Sequence, residues 1–156
     1  MKCELVSSLA DVNRNEWDSL NTSNHPFTSY DFLNSLEMSE SVTAKTGWNP
    51  QHIIIKNNTG NIIGASPNYL KMHSYGEYIF DHAWANAFEN AGGQYYPKLL
   101  SAIPFTPATG PRILIDPKNP DNNKIFELII KTFEAIVQNN NLSSAHINFI
   151  TDNLNK

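Results

Sequence analysis

The 156-residue sequence contains little cysteine, little arginine and no long apolar run. Its single cysteine, Cys3, excludes an internal disulfide and a metal cage of thiolates. Two arginines and a formal net charge of −4 argue against binding to a nucleic acid duplex, because clustered Lys and Arg are needed to neutralise phosphates. No apolar run approaches the ~20 residues that span a bilayer, and the N-terminal residues lack a signal-peptide core. We therefore expect a cytoplasmic protein without a membrane span.

The length of the chain predicts one domain over residues 1–156, and the order of the elements predicted from its sequence pattern indicates an α+β (mixed α/β) fold. The predicted elements are a strand at 4–8, helices at 13–20 and 29–38, a hairpin of strands 51–56 and 61–66, a short helix at 80–91, a strand at 112–115, a long helix opened by Asn119 and Pro120, and a strand at 144–150. This order predicts a mixed sheet with flanking helices. Because the sequence stops soon after the last strand, we expect the sheet to be incomplete there or covered by a partner.

Residues 69–112 contain an unusual concentration of titratable, aromatic and proline residues, which is typical of a site or of the loops that frame one. If residues 73–81 are extended, alternate side chains share a face, and His73, Glu77 and Asp81 are aligned as an acid/base group. The alternative is a buried polar network in which the two carboxylates bind Arg112, Lys98 or backbone donors.

A zinc site built from His73, Asp81 and His82 has no evident fourth ligand, so we expect no metal. The aromatic residues of this region are candidates for a groove that binds a sugar-peptide, although core packing explains them equally well. Lys98 and Arg112 are candidates for contact with an anionic ligand, or for structural ion pairs. The predicted binding set comprises Tyr75, Tyr78, Trp84, Tyr96, Lys98, Thr106 and Arg112.

Several spaced motifs between about Phe27 and Phe149 closely resemble the FemAB-like family. They include Thr46-Gly-Trp-Asn-Pro50, Tyr69-Leu-Lys71, His73-Ser-Tyr-Gly-Glu-Tyr78, Tyr95-Tyr-Pro-Lys-Leu99 and Pro104-Phe-Thr-Pro107. The resemblance implies a GNAT-like (acyl-CoA N-acyltransferase-like) fold and an acyl- or aminoacyltransferase of bacterial cell-wall synthesis, with a peptidoglycan precursor as partner. Members of the family are typically more than twice this length, so the resemblance implies an amino-terminal part whose second half is missing or is a separate chain.

In a GNAT enzyme, a glycine-containing loop before a helix binds the coenzyme A pyrophosphate through its backbone amides. The corresponding residues 116–121 here contain two prolines and two carboxylates but no glycine. We expect that this chain binds no acetyl-CoA in the usual manner and is not catalytic alone. The sequence leaves open whether it is an enzyme, a binding module for a peptidoglycan precursor, or an inactive product of a split gene.

Overall fold

The computed structural model describes residues 1–151, which form eight strands, four α-helices and two single-turn 3₁₀ helices at Leu9–Asp11 and Pro26–Thr28. In chain order the elements are β1 (Lys2–Val6), α1 (Arg14–Leu20), α2 (Tyr30–Met38), β2 (Trp48–Pro50), β3 (His52–Lys56), β4 (Ile62–Ser66), β5 (Asn68–Lys71), α3 (His82–Asn90), β6 (Lys98–Ser101), β7 (Leu114–Ile115), α4 (Asn122–Asn139) and β8 (Ala145–Ile147). The predicted α+β class is confirmed. No helix within residues 1–151 combines the length and the apolar character needed to cross a membrane.

The strands form two sheets of four, where the sequence pattern predicted one mixed sheet. The first sheet has the order β1-β3-β4-β7, and its neighbours are antiparallel. The second has the order β2-β5-β6-β8, in which only the β6–β8 pair is parallel. Pro67 stands between β4 and β5 and has no amide hydrogen, so the ladder of the first sheet ends at Ser66 and the chain enters the second sheet.

Helix α4 packs on both sheets through an apolar stripe. Ile125, Ile129, Phe133 and Ile136 are buried at intervals of three or four residues. Their cluster includes Ile53 and Ile55 of β3 and Leu99 of β6. The helix begins at Asn122, so the prediction that Asn119 and Pro120 open it was wrong. The Asn119 side chain instead accepts a hydrogen bond from the amide of Asp121 at 3.0 Å and closes a turn before the helix.

Helices α1 and α2 cover the first sheet and begin within one residue of their predicted starts. The side chains of Asn13 and Ser29 cap them by accepting hydrogen bonds from the amides of Glu16 and Phe32. The second sheet is covered on one face by α4, and on the other by loops. That second face is where most of the predicted site residues lie.

Candidate functional site

Three buried side chains form a row across neighbouring strands of the second sheet. Trp48 of β2 is the register partner of Lys71 of β5, which is the register partner of Lys98 of β6. Both lysines have at most 1% of their surface exposed. Because an unpaired buried charge is costly, two adjacent buried lysines require a specific environment.

Lys98 is held by two carboxylates from the loop that follows β5. Its Nζ donates to Oε2 of Glu77 at 2.9 Å and to Oδ2 of Asp81 at 3.1 Å. The hydroxyl of Tyr95 donates to the same Asp81 oxygen at 2.7 Å. The Lys98 and Glu77 side chains are buried, and 11% of the Asp81 side chain is exposed. We call Glu77, Asp81, Tyr95, Tyr96 and Lys98 the Lys98 cluster.

Burial and pairing act in opposite directions within the Lys98 cluster. Burial alone would lower the pKa of Lys98, but its bonds to the two carboxylates outweigh this effect and raise the pKa, so the ammonium form is held. Burial raises the pKa of Glu77 against the opposing effect of Lys98. For Asp81 burial also acts to raise the pKa, but hydrogen bonds from Tyr95 and Lys98 prevail and lower it.

The Lys98 cluster has hydrogen-bonding capacity that the described part of the protein does not use. Oε1 of Glu77, Oδ1 of Asp81 and the hydroxyl of Tyr96 are buried there without a hydrogen-bond partner. Ionised carboxylate oxygens only accept hydrogen bonds, and buried acceptors without donors are unfavourable. The cluster is therefore suited to a group that donates several hydrogen bonds.

Lys71 was not among the site residues predicted from the sequence. Its Nζ lies 3.7 Å from the centroid of the Trp48 ring and donates to the carbonyl of Tyr75 at 3.1 Å. No carboxylate within residues 1–151 lies within ion-pair distance of Lys71. Burial lowers the pKa of Lys71 to about 8; the charge of Lys98 lowers it further, and the charge of Glu77 acts to raise it. Alternation along β5 places Lys71 on the same face as buried Tyr69, and a lysine at an inward position was the signal that could have identified it.

A shallow pocket of about 130 Å³ lies beside the Lys98 cluster. The cluster member Tyr96 contributes to its wall. Of the other predicted residues, His73 and Tyr75 line it, with ring centroids 4.8 Å apart. The remaining lining residues are Ser74, His82, Ala85, Asn86 and Glu89.

The predicted alignment of His73, Glu77 and Asp81 on one extended face was wrong. Residues 72–81 form turns, with positive φ at Gly76, Tyr78 and Phe80, and contain no strand. The His73 ring packs on Gly47, where a β-carbon would lie 2.1 Å from its Nε2, while both carboxylates turn to Lys98. The structure contains the alternative polar network, with Lys98 as its cation.

The other predicted residues do not line the pocket. Trp84 and Tyr78 have 69% and 50% of their surface exposed, and the hydroxyl of Thr106 donates to the Pro104 carbonyl at 3.1 Å. Arg112 is buried, but its hydrogen bonds go to backbone carbonyls, so it takes no part in the predicted network with the carboxylates. Within residues 1–151, no three His, Cys, Asp or Glu side chains come close enough to hold a metal ion.

The loop before α4 has no free amide for a phosphate. Pro117 and Pro120 have no amide hydrogen, and the amides of Lys118 and Asn119 donate to Asp116 at 2.9 Å. Those of residues 121 and 122 donate to Asn119 at 3.0 and 3.1 Å. Every amide between residues 117 and 122 is therefore missing or bound within the loop.

Comparison with known proteins identifies the family. The model of the FemAB-like family, described as peptidoglycan biosynthesis/recognition, matches residues 8–156. The chain belongs to this family. No curated protein matches the sequence.

Two solved structures resemble this fold weakly, and both are mutants of the BH1408 protein of Bacillus halodurans. A tetramutant has 12% sequence identity and a TM-score of 0.49, with 100% of this chain and 86% of that chain covered. A single-site mutant has 13% identity and a TM-score of 0.47, with 97% and 83% covered. Similarity of this extent carries no argument about function.

Proposed function

We propose that this chain recognises a peptidoglycan precursor by binding an amine of the precursor in the Lys98 cluster. The observation that supports this proposal is the set of three buried acceptor atoms, on Glu77, Asp81 and Tyr96, that have no donor. A primary ammonium supplies three hydrogen-bond donors, which matches the number of these atoms. Peptidoglycan is made of amino sugars that carry short peptides, and peptides with a diamino residue carry such an amine.

The pocket beside Tyr96 is the route that we propose for the amine. Its wall contains His73, Tyr75 and Tyr96, so a ligand in the pocket contacts one residue of the Lys98 cluster. The aromatic rings supply flat apolar contact for the rest of the ligand. Tyr78, Trp84 and Thr106 remain candidates for contact with a larger precursor that extends beyond the pocket.

The proposed role in chemistry is that of the acceptor side of a GNAT-like acyl- or aminoacyltransferase. An amine attacks an activated acyl group only after it has lost a proton, and Glu77 is our first candidate for the base. Burial raises the pKa of Glu77, which makes its carboxylate a stronger base. Asp81 and His73 are the other candidates. A new N–C bond would form, the donor's ester or thioester bond would break, and the proton taken up by the carboxylate would pass to the departing alcohol or thiol.

We propose that the acyl donor is held elsewhere, by a second half or partner chain that works with this one in the cytoplasm. The loop at residues 117–122 supports this, because each of its amides is missing or bound internally and cannot bind a pyrophosphate. The same observation favours the second candidate function, recognition of a peptidoglycan precursor without chemistry. Under both functions the isolated chain should transfer no acyl group, so the two differ in whether transfer appears when a donor-binding second half or partner chain is added.

The test uses a disaccharide-peptide whose third residue carries a free side-chain amine. At a concentration a hundredfold above its Kd, binding should stabilise the wild-type protein by ~2.7 kcal/mol in a thermal-shift assay. Glu77→Gln should abolish most of this stabilisation. Glu89→Gln is the matched control, because Glu89 lines the pocket but lies outside the Lys98 cluster, and it should retain the stabilisation. Equal stabilisation of both variants would contradict the proposal.

A further inference from the structure

Arg112 carries a buried charge that no acidic side chain compensates. None of its surface is exposed, and no Asp or Glu within residues 1–151 forms an ion pair with it. Burial lowers the pKa of the guanidinium to about 10, and the Tyr69 phenol nearby opposes the shift. The group is therefore still charged at neutral pH. A buried cation without an anion destabilises the folded protein, and binding of an anion would remove that cost.

The hydrogen bonds of Arg112 leave one edge of the guanidinium half used. Nη1 donates to the carbonyl of Pro111 at 3.2 Å, and Nη2 donates to the carbonyl of Ala108 at 2.6 Å. Nε is buried and has no partner. The N–H of Nε and one N–H of Nη2 point in the same direction, which is the arrangement that receives both oxygens of a carboxylate. Of the two nitrogens on this edge, only Nη2 bonds the Ala108 carbonyl, and the Nε donor is unused.

The loop that supplies the Ala108 carbonyl is anchored at its far end and exposed near its middle. Nε2 of His25 lies 3.0 Å from the Thr109 carbonyl, and the amide of Gly110 donates to the carbonyl of Phe149 at 3.0 Å. Residues 105, 107 and 109 are exposed. Ala108 is thus one residue from the anchored end, in a segment without helix or strand. The Ala108 carbonyl belongs to the 108–109 peptide, and a rotation of that peptide can move it away while the Thr109 carbonyl and the Gly110 amide stay in place.

We infer that Arg112 is a binding site for a carboxylate, which takes the Nε–Nη2 edge by displacing the Ala108 carbonyl. The site is separate from the Lys98 cluster. Ser66 Oγ contacts both the Arg112 carbonyl and Ser101 Oγ, at 2.7 and 3.3 Å, so Arg112 lies near the end of β6 opposite to Lys98. A carboxylate and a phosphate can both accept from two parallel donors, but the planar carboxylate needs less space at this buried edge.

The chain has only two arginines, so the side-chain Nε–H region of a ¹⁵N spectrum of the full chain contains two signals. Arg14 is exposed and already paired with Asp31, and it serves as the internal control. The probes are acetate, N-acetylalanylalanine, the C-terminal amide of that dipeptide, and inorganic phosphate. We expect a saturable downfield shift of the Arg112 signal with a carboxylate at up to ~50 mM, a range that saturates a millimolar site. The amide should cause no shift.

Equal affinity for acetate and for the dipeptide would identify a site for small free carboxylates, and preference for the dipeptide would identify a peptide C-terminus. Arg112→Lys keeps the charge but loses the paired donors, and it should weaken binding at least tenfold. If that variant does not fold, the wild-type titration alone decides. An Arg112 signal that stays fixed with both acids, that moves equally with the amide, or that responds only to phosphate would overturn the inference.

Discussion

Lys71 provides a quantitative test of the buried row on the second sheet. Its pKa is lowered from 10.5 to about 8 in the folded protein, mainly because burial disfavours the charged amine. Between these two pH values the unfolded chain holds a proton on Lys71 that the folded chain has released, so the contribution of Lys71 to stability rises with pH. Below pH 8 both states are protonated, and the buried charge carries its full cost. That cost corresponds to about 3 kcal/mol, of which about 2 kcal/mol should be relieved between pH 7 and pH 9.5.

The perturbation is Lys71→Met, which keeps an unbranched side chain, one atom shorter, and removes the charge. Urea unfolding of both proteins at pH 7 and pH 9.5 gives the free energy of unfolding. The wild-type value minus the variant value should rise by about 2 kcal/mol between the two pH values, since other titrations cancel in the difference. Lys45→Met is the control at an exposed lysine, and its difference should not change with pH. A difference for Lys71→Met that stays constant would refute the reasoning.

Two further substitutions test the packing around the site. Lys98→Met leaves two buried carboxylates without a cation, and urea unfolding at pH 7 should show a loss of about 3–5 kcal/mol; a loss below ~1 kcal/mol would mean that the ion pairs are not buried as described. Gly47→Ala places a β-carbon 2.1 Å from the His73 ring at a φ of 76°, whereas Gly92, at 87°, has nothing within 4 Å. Because the backbone strain is similar, Gly47→Ala should be less stable than Gly92→Ala by about 1–3 kcal/mol, and equal thermal midpoints would contradict the contact.

Parts of the fold with strong local patterns were predictable from the sequence. The stripe of α4 and the β3–β4 hairpin follow from apolar periodicity and from the turn at residues 57–60. Strands β2, β5 and β6 were missed because they are only three or four residues long, and two of them contain a buried lysine that breaks the apolar pattern. Their pairing is long-range, so local propensity could not reveal the second sheet.

For the candidate site, the sequence singled out the segment that forms the buried polar network but predicted the wrong geometry for it. Glu77 and Asp81 were singled out because titratable residues cluster there, and both reach Lys98. Their alignment with His73 failed because positive φ angles at Tyr78 and Phe80 cannot be anticipated for bulky residues. The prediction that Arg112 joins the network failed for a similar reason. Arg112 bonds the Ala108 carbonyl, a backbone atom that no pattern of side chains indicates.

The most direct test of the account is a binding cycle that changes the ligand amine and Glu77 together. Affinities of the disaccharide-peptide and of its side-chain N-acetyl derivative are measured by calorimetry with the wild-type protein and with Glu77→Gln. If the amine binds at the unpaired oxygens of Glu77 and Asp81, acetylation of the amine should weaken binding to the wild-type protein at least tenfold, which is about 1.4 kcal/mol. Acetylation should change binding to the Glu77→Gln variant less than about twofold. The same loss of affinity in both proteins would show that the amine does not meet Glu77.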